Sequence, residues 1–115
     1  MVLSCRDLFV YGSLTDASLC RRLVGRRMGE RPAVLCGYRV RPVQGADYPA
    51  LVPCPKRIVG GLLLTGLRPR DLQRLDRYEG GEYRRRLALV RVKGRPRRAW
   101  VYLWCDRRSR LGKAG

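Results

Sequence analysis

The chain contains no histidine. That absence removes the commonest general base, the commonest metal ligand, and every Ser-His-Asp or Cys-His arrangement. Acidic residues are scarce: nine Asp and Glu stand against 26 Lys and Arg, for a formal net charge of +17. The excess is arginine, with 23 residues against three lysines. No apolar run approaches the roughly 20 residues that cross a membrane as a helix. Five cysteines (Cys5, Cys20, Cys36, Cys54 and Cys105) are widely spaced and include no C-x-x-C pair. That pattern argues against a disulfide framework or a zinc site, and fits free thiols in a reducing compartment. The opening MVLSCRDLFV holds a lipobox-like LSC, but no charged segment and apolar run precede it. A cytoplasmic protein without a metal or other cofactor is the expectation.

What is present reads as one globular domain. The length of 115 residues and the 45% apolar content support a single core. We expect a domain over 1–115, with its core at about 8–104 and a basic tail at 105–115. Leu8 to Tyr11 (LFVY) is a short apolar strand stopped by Gly12-Ser13. TDASLCRRLVG, ending at Gly25, reads as a short helix capped by Thr15 or Asp16. Pro32 to Val43 suits a strand or two, and QGADYPALVPCP a Pro/Gly-rich loop. Ile58 to Leu64 (IVGGLLL) is a buried strand whose Gly60-Gly61 pair suggests a bulge or a close backbone approach. A second helix follows over RPRDLQRLDRYEG, with Pro69 at its first position and Gly80 beyond its end. Tyr83 to Val92 alternates as a strand, KGRPR turns, and Ala99 to Trp104 (AWVYLW) is apolar on both faces. The order β-α-β-β-α-β-β makes an α+β domain on a mostly antiparallel or mixed sheet, with closure into a barrel left open.

The stretch DRYEGGEYRRR holds two of the three glutamates. At about 100° per residue, Leu72, Leu75 and Glu79 fall within about 60° of one another on the second helix. A carboxylate on an apolar stripe is costly unless it is paired or has a task. At a helix C-terminus the macrodipole also disfavours it. Burial and dipole both push its pKa upward, as a general base near neutral pH requires. The plainer reading is a partly buried Glu79 paired with a strand arginine such as Arg85. Glu82 lies past Gly80-Gly81, on the face of Arg84 and Arg86, and reads as a solvated salt-bridge residue. The strand-turn-helix junction YGSL, Tyr11 to Leu14, can present consecutive backbone N–H groups as an anion nest or oxyanion hole. Ser13 has no histidine and no nearby lysine to activate it as a nucleophile. The segment YPAL, Tyr48 to Leu51, is either a loop closing over the core or a pocket wall.

The combination is more telling than its parts. FVYGSL, YPAL, a glycine-bearing strand, LDRYEGGEYRR and a closing AWVYLW strand, in this order, resemble the γ-glutamylcyclotransferase-like family. The resemblance is to the AIG2-like branch that includes γ-glutamylamine cyclotransferases, and it runs from about Leu8 to Trp104. It implies a small mixed β-barrel flanked by short helices. It also implies a catalytic acid/base at Glu79, and a substrate cradle at Tyr11, Gly12, Ser13 and Leu14 with Tyr83. Tyr48, Pro49 and Arg85 are implied as further pocket residues. The implied reaction is intramolecular: the α-amine of a γ-glutamyl amino acid or amine attacks the γ-carbonyl and releases 5-oxoproline, without metal. Two alternatives stand beside it. One is a non-catalytic binding module on the same fold; the other is nucleic-acid association through the dispersed arginines, with affinity falling steeply as salt rises. Few aromatics interleave with the basic residues, which counts against base stacking. Oligomeric state is left open.

Overall fold

A computed structural model of the protein describes residues 5–11, 20–25, 28–42, 49–79 and 83–104, the side chains of residues 42, 49, 79 and 104 excepted. Five strands, β1 (Leu8–Tyr11), β2 (Gly29–Pro42), β3 (Pro49–Thr65), β4 (Tyr83–Val92) and β5 (Arg95–Trp104), close into a barrel in the order β1-β3-β2-β4-β5. Every neighbouring pair is antiparallel except β1 and β5, which run parallel with Leu8 aligned to Trp100. Residues 20–24 are the described part of helix α1, and α2 spans Pro69–Glu79. This is the α+β class and the small mixed barrel with flanking helices that the sequence led us to expect.

Strand alternation divides the apolar residues into two clusters. Inside the barrel, Phe9, Ala33, Leu35, Leu51, Val59, Leu63, Val90, Val92, Ala99 and Val101 form one buried core. On its outer wall, Leu8, Leu64 and Tyr102 pack with Cys20 and Val24 from α1 and with Leu67, Leu72 and Leu75 from α2 and its approach. Strand β1 is therefore covered on both sides, with Leu8 and Phe9 buried in different clusters. That is why LFVY reads as a continuous apolar run instead of an alternating one. The same holds for β5, where Val101 faces inward and Tyr102 faces the helices.

Three local expectations change. The segment expected to be a Pro/Gly-rich loop is mostly strand, because β3 begins at Pro49 and pairs Leu51 with Val40. Its prolines mask it as a loop, yet β1 pairs only with Gly61 to Leu64 of β3. The earlier residues of β3 thus need a ladder partner on one side only, where proline is tolerated. Ala50 and Leu51 are buried, so this end of YPAL is wall and core. The ladder irregularity lies not at Gly60-Gly61 but between the Cys36–Ile58 and Tyr38–Pro53 pairs, where Cys54 to Arg57 of β3 stand opposite the single residue Gly37, with its φ of 84°. The KGRPR turn shrinks to Lys93-Gly94, both at positive φ (52° and 78°), and Val92 pairs directly with Arg95. Two left-handed residues match the twist of a tight hairpin.

Gly61 answers the other half of the expectation, a close approach. A Cβ there would collide with the Val10 carbonyl oxygen and stand 2.7 Å from Phe9 Cζ, whereas a Cβ at Gly60 meets nothing within 4 Å. Gly61→Ala is therefore expected to lower stability by roughly 1–3 kcal/mol through strain at the β1–β3 seam. Gly60→Ala is expected to stay within about 0.5 kcal/mol of the parent. Urea unfolding of both variants checks this, and equal midpoints would contradict the close approach.

Candidate active site at the end of helix α2

Helix α2 starts by a local device and ends beside the barrel. Pro69 occupies its first position, where a missing N–H is harmless. The Arg68 N–H donates to Asp71 Oδ2 at 2.8 Å, and the Leu72 N–H donates to the Arg68 carbonyl at 3.1 Å. Asp71 thus satisfies a donor at the helix start from the third helical position, half of a capping box. Leu72 and Leu75 are buried against the outer wall. Burial of each contributes about 1.5–3 kcal/mol. Glu79 is the last residue of the helix, and its wheel position falls between those of Leu72 and Leu75.

The carboxylate that holds α2 to the barrel is Asp76. Arg85 Nε donates to Asp76 Oδ1 at 2.8 Å and Arg85 Nη2 to Oδ2 at 3.0 Å, a two-pronged pair. The Tyr102 hydroxyl also donates to Oδ1, at 2.6 Å. On its other side, the Arg85 guanidinium lies 4.3 Å from the Trp100 ring centroid. Trp100 is itself pinned, its Nε1–H donating to the Cys5 carbonyl at 2.9 Å. Sequence reasoning offered Arg85 as a partner for Glu79 and did not single out Asp76. The available signal was spacing: Asp76 follows Leu72 by four residues and precedes Glu79 by three, so it shares their face. Arg85 therefore serves to clamp α2 onto β4 and β5, on the outer wall.

Strand register gathers the remaining candidates at one end of the barrel. Leu8 aligns with Trp100 in the parallel pair, so Tyr11, three residues on, comes level with Leu103. Leu103 in turn pairs with Arg84, and Tyr83 with Trp104. Tyr11 also pairs with Gly61 of β3. Three residues separate the end of α2 from Tyr83. The last residue of α2, the last of β1 and the first of β4 thus converge on the same rim. Tyr11 packs on the interior core, its ring stacked with Phe9 at 6.5 Å, and Tyr83 packs on the outer cluster. Gly12, Ser13, Leu14, Tyr48 and Glu82 lie outside the described residues, and Pro49 opens β3. Among the described residues, no three His, Cys, Asp or Glu side chains gather as a metal site. No helix among them is long and apolar enough to cross a membrane.

The sequence matches the family described as Gamma-glutamyl cyclotransferase, AIG2-like, over residues 8–114. The chain belongs to that family. It is 32% identical over 107 residues to AIG2-like protein A of Arabidopsis thaliana, covering 91% of this chain and 65% of that protein. It is 33% identical over 100 residues to AIG2-like protein C of the same plant, covering 85% of this chain and 58% of the relative. The chain thus spans less than two thirds of either relative. Its fold is similar to a solution structure of an Arabidopsis thaliana protein, with a TM-score of 0.77, 25% identity, and 98% of this chain and 77% of that one covered. A solved structure named Gamma-glutamyl cyclotransferase aligns with a TM-score of 0.73 over 88% of this chain and 67% of its own. At 18% identity that likeness is one of fold. The cyclotransferase-like fold of this AIG2-like chain is thereby established.

In that fold the Asp76–Arg85–Tyr102 cluster is the joint between α2 and the barrel. Asp76→Ala is expected to cost roughly 1–3 kcal/mol of stability, because it strips a charged acceptor from two donors. A double-mutant cycle with Arg85→Ala should return a coupling energy of about 1 kcal/mol or more. Additive losses would show that the two side chains do not act together.

Proposed function

We propose that the protein cyclises γ-glutamyl compounds, releasing 5-oxoproline, with Glu79 as the acid/base. The observation that carries the reading is positional. Glu79 closes α2 on the stripe of buried Leu72 and Leu75, at the rim where β1 runs into YGSL. Family membership over residues 8–114 supports the same chemistry. Asp76 is committed to Arg85 and Tyr102, which leaves Glu79 as the candidate carboxylate at the end of this helix.

The reaction follows from the substrate's own geometry. Its α-amine attacks its γ-carbonyl, forming the N–C bond of a five-membered lactam and a tetrahedral oxyanion. Near pH 7 the amine is an ammonium, so a base removes a proton before attack. A carboxylate on an apolar stripe at a helix C-terminus is the kind of group whose pKa rises, which is the property this role asks of Glu79. As the intermediate collapses, the bond to the leaving nitrogen breaks, Glu79 returns the proton to it, and the ring nitrogen gives up its second proton to solvent to leave the neutral lactam. Backbone N–H groups of Gly12, Ser13 and Leu14 would bind the oxyanion; donors of this type contribute roughly 3 kcal/mol each in other enzymes. Holding the glutamyl chain folded against Tyr11 on the interior side of the rim would supply orientation, with Tyr83 contributing from the outer side, that of α2. The residues suffice for this route without metal, and a soluble small molecule is the expected substrate.

The test is release of 5-oxoproline from a panel of γ-glutamyl amino acids and amines. Glu79→Gln should lower the rate by at least about 100-fold, the scale of a lost general base, with the unfolding midpoint retained. Glu82→Gln should leave it within about two-fold, as for a solvated salt-bridge residue. Equal turnover by wild type and Glu79→Gln would refute the assignment.

A further inference from the structure

Two arginines at the barrel rim stand on the wrong face for ordinary surface residues. Arg84 pairs with Leu103 and Arg86 with Val101 across β4 and β5. Directly opposed residues of an antiparallel pair share a face. Val101 belongs to the interior core and Leu103 packs on it, so Arg84 and Arg86 occupy the interior row that Ala88, Val90 and Val92 continue. The row is exposed at both arginines. Tyr83 and Arg85, on the opposite row, are turned to the helices. An interior row that begins with two solvated guanidinium groups marks where the barrel opens.

This opening lies beside the proposed reaction centre. Tyr11, Leu103 and Arg84 come level on three adjacent strands, β1, β5 and β4, so Tyr11 and Arg84 are two strand spacings apart, about 10 Å. Only residues 80–83 separate Glu79 from Arg84. Among the described residues neither Arg84 nor Arg86 has an ion-pair partner, whereas Arg97, in the interior row at the far end of β5, is paired with Asp7 at 2.6 Å. Residues opposite the rim pair, Leu103 and Val101, bring no charge. Each guanidinium presents a planar fork of N–H donors suited to a carboxylate.

We infer that Arg84 and Arg86 select γ-glutamyl substrates whose leaving group carries a carboxylate, such as a γ-glutamyl amino acid, over those that release a neutral amine. The inference rests on the cyclotransferase reading and sharpens it. The glutamyl end is common to all such substrates and would lie at the YGSL loop. The group expelled is what differs among them, and the arginine row runs down the interior face of β4, from Arg84 at the level of Tyr11 to Arg86 at the level of Phe9.

The experiment compares kcat/KM for γ-glutamylalanine and γ-glutamylethylamide, which differ in the leaving group by one carboxylate. Wild type is expected to favour γ-glutamylalanine by roughly tenfold or more, the scale of a charge-assisted bond. In the Arg84→Gln/Arg86→Gln double variant that ratio should fall toward one. Arg84→Lys/Arg86→Lys should retain much of it, and added salt should erode it in the wild type. An unchanged ratio in the Gln variant, whether or not both rates drop together, overturns the selectivity role alone. Absence of 5-oxoproline from both substrates in the wild type overturns the cyclotransferase reading and this inference with it. Circular dichroism melting of both double variants confirms that the compared proteins are folded.

Discussion

A strand of four residues closes this barrel. β1 bridges β3 on one side and β5 on the other, and its register with β5 is set by the Leu8–Trp100 alignment and by the Trp100 N–H bond to the Asp7 carbonyl at 2.9 Å. It can do so because Gly61 has no side chain where Val10 and Phe9 pass. The consequences reach the rim. The same closure that buries Phe9 inside and Leu8 outside also delivers Tyr11 to the level where β4 begins.

The second constraint acts from outside. A short helix resting on a barrel wall through two leucines has one apolar stripe to hold it, and rotation about its axis would move its last residue. Asp76 removes that freedom by engaging Arg85 from β4 and Tyr102 from β5. Arg85 is in turn stacked over Trp100. One carboxylate one turn before the end of the helix is thus fixed to both strands, and the residue three positions later inherits that placement. In a strongly basic chain the acid groups are few, and two of them, Asp71 and Asp76, go to starting and anchoring this one helix.

Much of this was legible beforehand, for reasons that differ by element. LFVY and AWVYLW read as strands because burial on both sides leaves an unbroken apolar run; in IVGGLLL that holds at Leu63 and Leu64, buried in different clusters, while Ile58 is exposed. Helix α2 showed its start through Pro69 and its buried face through Leu72 and Leu75. The beginning of β3 was hidden, since Pro49, Pro53 and Pro55 signal a loop wherever both sides of a strand must pair. Here one side is enough. Asp76 escaped notice because its partners lie in β4 and β5, and only the register reveals which arginine and which tyrosine come to it. The facing of Arg84 and Arg86 was hidden for a related reason. Alternation states that they share a row, but not whether that row lines the barrel or looks out to solvent.

The central claim is that the rim where β1, α2 and β4 converge holds a γ-glutamyl compound for ring closure. The most direct measurement is a two-dimensional NMR titration of the Glu79→Gln protein with γ-glutamylalanine, which would bind without being consumed. Amide shifts concentrated at residues 11–14 and 79–86, with the Lys93-Gly94 hairpin unmoved, are the predicted result. Shifts confined to that hairpin or to other parts of the chain, with none along residues 11–14 and 79–86, would contradict it.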